Sequence, residues 1–557
     1  MNNMGSMQPN HRTTHQSSRY LRLAAVTLAS FFLIANNALA TDYHVAKTGN
    51  DGNSGLTLGA AFLTIQKGVD SATSPGDNVI VHAGTYTENN PSSAPGAPPA
   101  VVNAADIGII ISNGGALGNP ITISAAPGEH VVIDQGNQLI DDGLGGLTIE
   151  EYQGVDGSGL TANNRRRVGF FFKQLVSFVT IAGFEIKNAT TGIRAPEIAQ
   201  GIVIENCNLH DMIGLAGGNY GGAFLQGCES CIVRNNVINS VQTLKNGAIL
   251  PLADASNQNT AGLLMFRAHE TTIENNQISN AYSGIYRKQA PTPELGGAEN
   301  RSIYRRNVIH DVVNGVRYSI AGAGNGGHFN QEFSENIVFN ADTGVTEDSS
   351  QAISQGGGID IFNNTIIANT ALNLSIQQNV TFYNNILVTD TGTPSIRLNA
   401  PRQICQLIPP APLNCNPGLV RPQVSLIDFN LFFDAFDGEP RFTFDAGAHS
   451  VAGTFFPQTP QVDLGTLASW QATAPTFAQP IPAADVNSNF ADPQFTVVAG
   501  QLFVPQVGGP ADNAGRVGGL IANPPVDIGA YPNGVGGSVV GPLKRPQSPT
   551  VFSGVGG

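Results

Sequence analysis

The chain has 557 residues, among them 65 Gly, 34 Pro and a single Trp, with 12% charged residues and a formal charge of −14. So much glycine and so little charge speak against long helices, which draw on Ala, Leu, Glu and Lys, and for an all-β chain of strands and turns. The acidic balance excludes nucleic acid and an anionic membrane surface as natural partners.

Residues 1–40 read as a signal peptide with an N-terminal extension. Arg19 and Arg22 precede the apolar run LAAVTLASFFLIA, and Ala38-Leu39-Ala40 offers a small-residue cleavage site. That run is short for a membrane span and no second candidate follows it. The expectation is an exported monomer, periplasmic or extracellular, that begins near Thr41 and spans no membrane. Within 41–90, Phe62, Ile65 and Val69 fall at helical spacing and predict a short amphipathic helix.

All five cysteines lie after the predicted cut. Cys405 and Cys415 bracket a Pro-rich loop, and Cys207, Cys228 and Cys231 form a second cluster. The spacing of CESC is that of half a zinc site, but no second pair follows, so disulfide or buried thiol outranks metal in an exported chain.

From 91 to 425 the sequence repeats itself. IVIENCNLHD (202–211), CIVRNNVINS (231–240), TTIENNQISN (271–280), SIYRRNVIHD (302–311), EFSENIVFN (332–340), DIFNNTIIAN (360–369) and TFYNNILVTD (381–390) share one phrase. Their aligned positions Cys207, Asn236, Asn276, Asn307, Asn336, Asn364 and Asn385 are 29, 40, 31, 29, 28 and 21 residues apart. Alternation of apolar and polar residues on both sides of each Asn means strand, turn, strand. Asn tolerates the left-handed backbone that such a turn demands, and asparagines stacked on successive coils can bond one another. One unit cannot bury both ends of its strands, so the coils must stack into parallel sheets around a narrow apolar core. A C-terminal β/loop extension (426–535) and a flexible tail (536–557) follow.

These repeats resemble the right-handed parallel β-helix of the pectate lyase-like superfamily. The opening DYHVAKTGNDGNSGLTLGAAFLTIQKGVD looks like the start of many secreted β-helix proteins, which implies that the helix near Ile65 caps the open end of the solenoid. NPITISAAPGEHVVIDQ (119–135) is similar to an early coil of chondroitinase B and its alginate lyase relatives, and ADPQF (491–495) and VDIGAY (526–531) resemble closing segments of large β-helix families. In such proteins sugar polymers lie along one parallel sheet, flanked by long loops.

The matching strands here each begin after a glycine: Gly192, Gly222, Gly262, Gly284, Gly315 and Gly344. Alternation then sends Ile193, Ala223, Leu263, Ile285, Val316 and Val345 inward. Arg194, Phe224, Leu264, Tyr286, Arg317 and Thr346 point outward, followed by Pro196, Gln226, Phe266, Lys288, Ser319 and Asp348. Arg287 would point inward if the strand runs that far. The result is an exposed strip of aromatics, amides and cations. Aromatic faces stack on sugar rings, and arginine forks match carboxylates. Residues 160–320 carry a net charge of +4 inside an acidic chain, which favours an anionic polysaccharide over a neutral one. Exposed cations and strand tyrosines are also ordinary features of a sheet surface.

The resemblance implies β-elimination of a uronate polymer. That chemistry needs a base of lowered proton affinity and a cation at the sugar carboxylate. Lys288 is the candidate base, Arg317 the carboxylate clamp or proton donor, and His328 a further donor. Arg194, Phe224, Gln226, Phe266, Arg267, Tyr286 and Ser319 are the candidate substrate contacts. Ca2+ is a family expectation; Ala281 and Ser283 stand where chondroitinase B has acidic ligands, which leaves Glu347 and Asp348 as candidates. The recurring His210-Asp211 and His310-Asp311 pairs read as turn residues. A non-catalytic glycan-binding or structural β-helix ranks second, and a glycoside hydrolase third, since no paired acids face each other across neighbouring coils.

Overall fold

The structure is a computed structural model; it describes 40–88, 106–136, 166–195, 199–288, 301–319, 331–347, 359–374 and 378–389, with shorter stretches out to 511. The predicted signal peptide, Pro196, His328, Asp348, Cys405 and Cys415 lie outside the described residues.

One side of the molecule is a twelve-stranded, all-parallel sheet that runs from Asp42–Val45 to Gln423–Asp428. Each repeat gives it a short strand, turns, and then feeds a second, larger sheet that forms the remaining sides. The turn works differently from the simplest reading of the repeat. The left-handed residue is the one before the aligned Asn: Asn206, Asn235, Asn275, Arg306, Glu335, Asn363 and Asn384 have φ between 55° and 57°. The aligned Asn itself is fully buried and serves as a rung. Asn236 Nδ2 donates to Asn276 Oδ1, Asn276 to Asn307 and Asn307 to Asn336, each at 3.0 Å. The ladder continues through Asn364 and Asn385 to Asn430. Each Oδ1 also accepts the backbone N–H of the preceding rung, so the corner of every coil is satisfied by its neighbour. Parallel pairing runs on past 425, through Phe442–Asp445 to Asn489–Phe490.

A second left-handed bend falls at Asp211, Ser240, Asn280, Asp311 and Asn340. His210 and His310 each bond the following Asp at 2.7 Å, so the repeated His-Asp pairs build this corner. Helix α1 (Ile65–Ser71), capped by Thr64 Oγ1, turns Ile65 and Val69 into the same core as Val45 and Val79.

Six strands carry the candidate row: β1 (Thr191–Ala195), β2 (Tyr220–Gln226), β3 (Thr260–Phe266), β4 (Gln277–Lys288), β5 (Val308–Ser319) and β6 (Ile337–Glu347). Ile193, Ala223, Leu263, Ile285, Val316 and Val345 stack in register and are completely buried in the solenoid core. The glycine ahead of each is a steric requirement: a Cβ on Gly284 would lie 2.3 Å from Ile309 Cγ2 and 2.7 Å from the Gly315 carbonyl oxygen.

Alternation holds to the end of β4. Arg287 is therefore wholly buried, in register with Tyr318 and near Tyr304, inside the solenoid. The same parity corrects one candidate. Glu347 pairs in register with Tyr318 and is 2% exposed, so it belongs to the interior and does not face a substrate or cation outside. Cys228 and Cys231 form a disulfide, and Cys207 is a buried free thiol whose pKa desolvation pushes up to about 12.

Candidate functional site

The outward row exists in the register the alternation gives: Arg194, Phe224, Leu264, Tyr286, Arg317 and Thr346 are successive partners on β1 to β6. It is not exposed, however. Arg194 is 9%, Phe224 3%, Tyr286 2% and Arg317 7% accessible. Phe224, Leu264, Tyr286 and Phe266 form an apolar cluster of their own on the outside of the sheet. The short connection at 216–219 and the insertion at 245–260, which lengthens one repeat to 40 residues, supply part of its cover. Gln258 reaches Arg317, and Asn219 and Asn259 reach Lys288.

Lys288 ends β4, half-buried, beside Phe266 on β3 and in register with Ser319 on β5; the Ser319 side chain lies outside the described residues. The Lys288 amine donates to Asn219 Oδ1 at 2.9 Å and Asn259 Oδ1 at 2.8 Å. It lies 5.8 Å from the centre of the Tyr286 ring. Among the described residues no carboxylate pairs with it. Burial first, and the charge of Arg317 second, lower its pKa from 10.5 to about 8. Arg317 stacks over Tyr286 at 4.7 Å, lies 6.0 Å from the Tyr282 ring and donates Nη1–H to the Gln258 carbonyl at 2.6 Å. One aromatic ring thus carries two cations on adjacent coils, and neutral amide oxygens hold the Lys288 amine.

The other candidates fall into place around this pair or away from it. Phe224 and Phe266 meet edge to face 6.5 Å apart, and Gln226 sits at the end of β2 in register with Phe266. Arg267 occupies the left-handed residue after β3 and folds onto the Phe266 ring at 5.2 Å, which makes it a turn residue at the rim. Arg194 stacks on Phe224 at 5.1 Å, four coils from Arg317, or about 19 Å at 4.8 Å per coil. It belongs to the far end of the row. The positive bias of the middle third is also shared out: Arg234 pairs with Glu205, Arg305 with Glu274 and Arg301 with Glu332, each at 2.7 Å, and these residues belong to the twelve-stranded sheet or its edge, a different sheet from the one that carries the strip.

Asn219, Asn259, Gln258 and Tyr282 were not among the candidates. Two of them had a signal. NYGGA (219–223) and NTAGL (259–263) place an Asn four residues before the inward core residue in successive coils, and Tyr220 pairs with Thr260 in register. No such phrase marks Gln258 or Tyr282.

A calcium ion does not fit the described residues here. Ala281 and Ser283 are fully buried, Glu347 faces the interior, and the described residues contain no group of three or more His, Cys, Asp or Glu able to hold a metal.

No family model and no curated protein matches the sequence. Among solved structures the chain is similar to a pectate lyase, at 15% identity over 89% of this chain and 97% of that one with a TM-score of 0.44. It is also similar to XylC in complex with xylose, at 17% identity over 75% and 87% with a TM-score of 0.41. A third is a hyperthermoactive exopolygalacturonase from Thermotoga maritima, at 11% identity over 70% and 82% with a TM-score of 0.37. The chain's own stacked, parallel coils make the fold a parallel β-helix. Likeness at this level passes no reaction to this chain, and the three neighbours do not share one.

Proposed function

We propose that the protein is an exported polysaccharide lyase that cleaves a uronate-containing polymer by β-elimination, with Lys288 as the base. The observation that carries this reading is the state of Lys288: half-buried, beside a second cation, and held by amide oxygens instead of a carboxylate. A structural lysine gains from a carboxylate partner; this one has its charge disfavoured, as a base requires.

In the proposed reaction Arg317 faces the sugar carboxylate and offsets its charge, which acidifies the neighbouring C–H. The Lys288 amine takes that proton. The electron pair moves into the ring, the glycosidic bond to the leaving sugar breaks, and the departing oxygen takes a proton from a donor or from water. The product carries a new double bond conjugated to the carboxylate. No step runs through a metal. His328, a candidate donor, lies outside the described residues, so the donor is not assigned.

The test is to incubate purified protein with pectate, alginate and glycosaminoglycans, with calcium or with chelator, and follow the ultraviolet absorbance of the unsaturated uronate. The expected result is absorbance on one polymer class, with kcat/KM rising with pH through about 8 as Lys288 loses its proton. New reducing ends without absorbance would replace elimination by hydrolysis. Export is part of the same proposal; N-terminal sequencing of the protein from its native host should begin at Thr41.

A further inference from the structure

We propose that Asn219 and Asn259 are positioning residues that aim the free electron pair of Lys288 at the substrate. This rests on the reading of Lys288 as base. A neutral primary amine has two N–H donors and one lone pair, arranged tetrahedrally about nitrogen with the carbon stem. The two carboxamide oxygens, at 2.9 and 2.8 Å, take one N–H each. Among the described residues the amine makes no third hydrogen bond, so the remaining corner holds the lone pair, in a direction set by the protein. An amine without two fixed acceptors would rotate, and its lone pair would spend most of its time elsewhere.

The choice of amide over acid matters as much as the geometry. Aspartate at either position would also accept the N–H groups, but its charge would stabilise the ammonium and keep the proton on. Asparagine orients without charging. Both residues stand at equivalent positions of successive coils, 69 and 29 residues before Lys288, and both immediately precede the strands whose outward side chains form the strip. The loop that ends in Asn259 also ties Arg317 through the Gln258 carbonyl. One segment therefore sets base and clamp together, which specifies how far apart the abstracted proton and the carboxylate of the substrate can lie.

The experiment uses the full chain in two arms. The first needs no substrate: trace labelling with acetic anhydride across pH, with the Lys288 peptide quantified by mass spectrometry. Wild-type labelling should reach half its maximum near pH 8. In Asn259→Asp and Asn219→Asp the midpoint should move upward, with labelling at pH 8 slowed about fivefold or more. The second arm uses the polymer cleaved in the panel. Asn219→Ala/Asn259→Ala should lower kcat about 10–100-fold with KM little changed, and Asn259→Asp should shift the acidic limb of kcat/KM to higher pH. Thermal unfolding identifies any variant that has lost its fold, and the isosteric Asp variants serve where the double Ala variant does. Unmoved labelling midpoints in both Asp variants would overturn the proposal. So would unchanged kcat in the double variant while Lys288→Met is inactive, which leaves the base reading standing. Full activity of Lys288→Met would remove the base reading itself.

Discussion

Lys288→Met should fold normally and lose about 10²- to 10⁴-fold in kcat on the polymer the wild type cleaves, the range a positioned base contributes. Methionine is one atom shorter but keeps an unbranched apolar stem beside Tyr286 and Phe266, so the loss would not come from packing. Nor should stability suffer. The ammonium is desolvated next to Arg317 and pays for its burial, so removing it relieves a cost. Asn219 and Asn259 are themselves only half-buried, and water can satisfy the oxygens that Lys288 leaves. Lys288→Arg separates the two roles a cation can play here. Arginine retains the charge and stays protonated at every usable pH. Inactivity of the arginine variant, measured by initial rates of chromophore formation, supports a base. Retained activity would make Lys288 a carboxylate-binding cation and require another base.

The solenoid was legible because its causes are local and repeat. Gly284 and its counterparts announce where a strand must pass close to its neighbour, and Ile285 and its counterparts then fix which parity is the core. From those two facts the row of Arg194, Phe224, Tyr286 and Arg317 follows without any knowledge of the rest of the chain. The same parity, carried two residues past Val345, would have placed Glu347 indoors; reading it as a surface ligand ignored the strand it ends. The role of the repeated Asn was half legible. Its presence at a corner was plain, but the left-handed backbone falls one residue earlier, on residues as varied as Asn235, Arg306 and Glu335. What tolerates those is the ladder amide of the adjacent coil, a contact between residues about thirty apart. The cover over the strip was legible only as the phrase shared by NYGGA and NTAGL, which marks Asn219 and Asn259 but not what they reach. An insertion of extra residues tells that a loop exists but not where it lands, and it is the landing of Asn219, Gln258 and Asn259 that turns an outward row into a half-buried site.

Asn307→Ala should destabilise the protein by about 3 kcal/mol, several times the effect of Asn239→Ala in the preceding part of the same solenoid. Asn307 is fully buried at the middle of the ladder. Its Oδ1 accepts both the backbone N–H and the side-chain amide of Asn276, and its Nδ2 donates to the Ile273 carbonyl and to Asn336 Oδ1. Alanine removes all four bonds and leaves the Asn276 N–H facing a cavity, and a buried donor without an acceptor costs roughly 1–3 kcal/mol by itself. Asn307→Asp is the sharper variant. It keeps the acceptor and the shape, but turns a donor into a second acceptor against the Ile273 and Asn336 oxygens, so it should cost at least as much as alanine. Asn239 also bonds across coils, accepting from Ser279 and Asn280, yet it lies at the surface where water replaces those bonds. Denaturant unfolding with the slope compared across variants measures the three costs. Because each coil contacts mainly its neighbours, a weakened rung at Asn307 should also lower cooperativity and split the unfolding transition. Equal midpoints for Asn307→Ala and Asn239→Ala would mean that the apolar stack of Ile285, Val316 and Val345 holds the coils in register alone, with the asparagine ladder contributing only the shape of the turn.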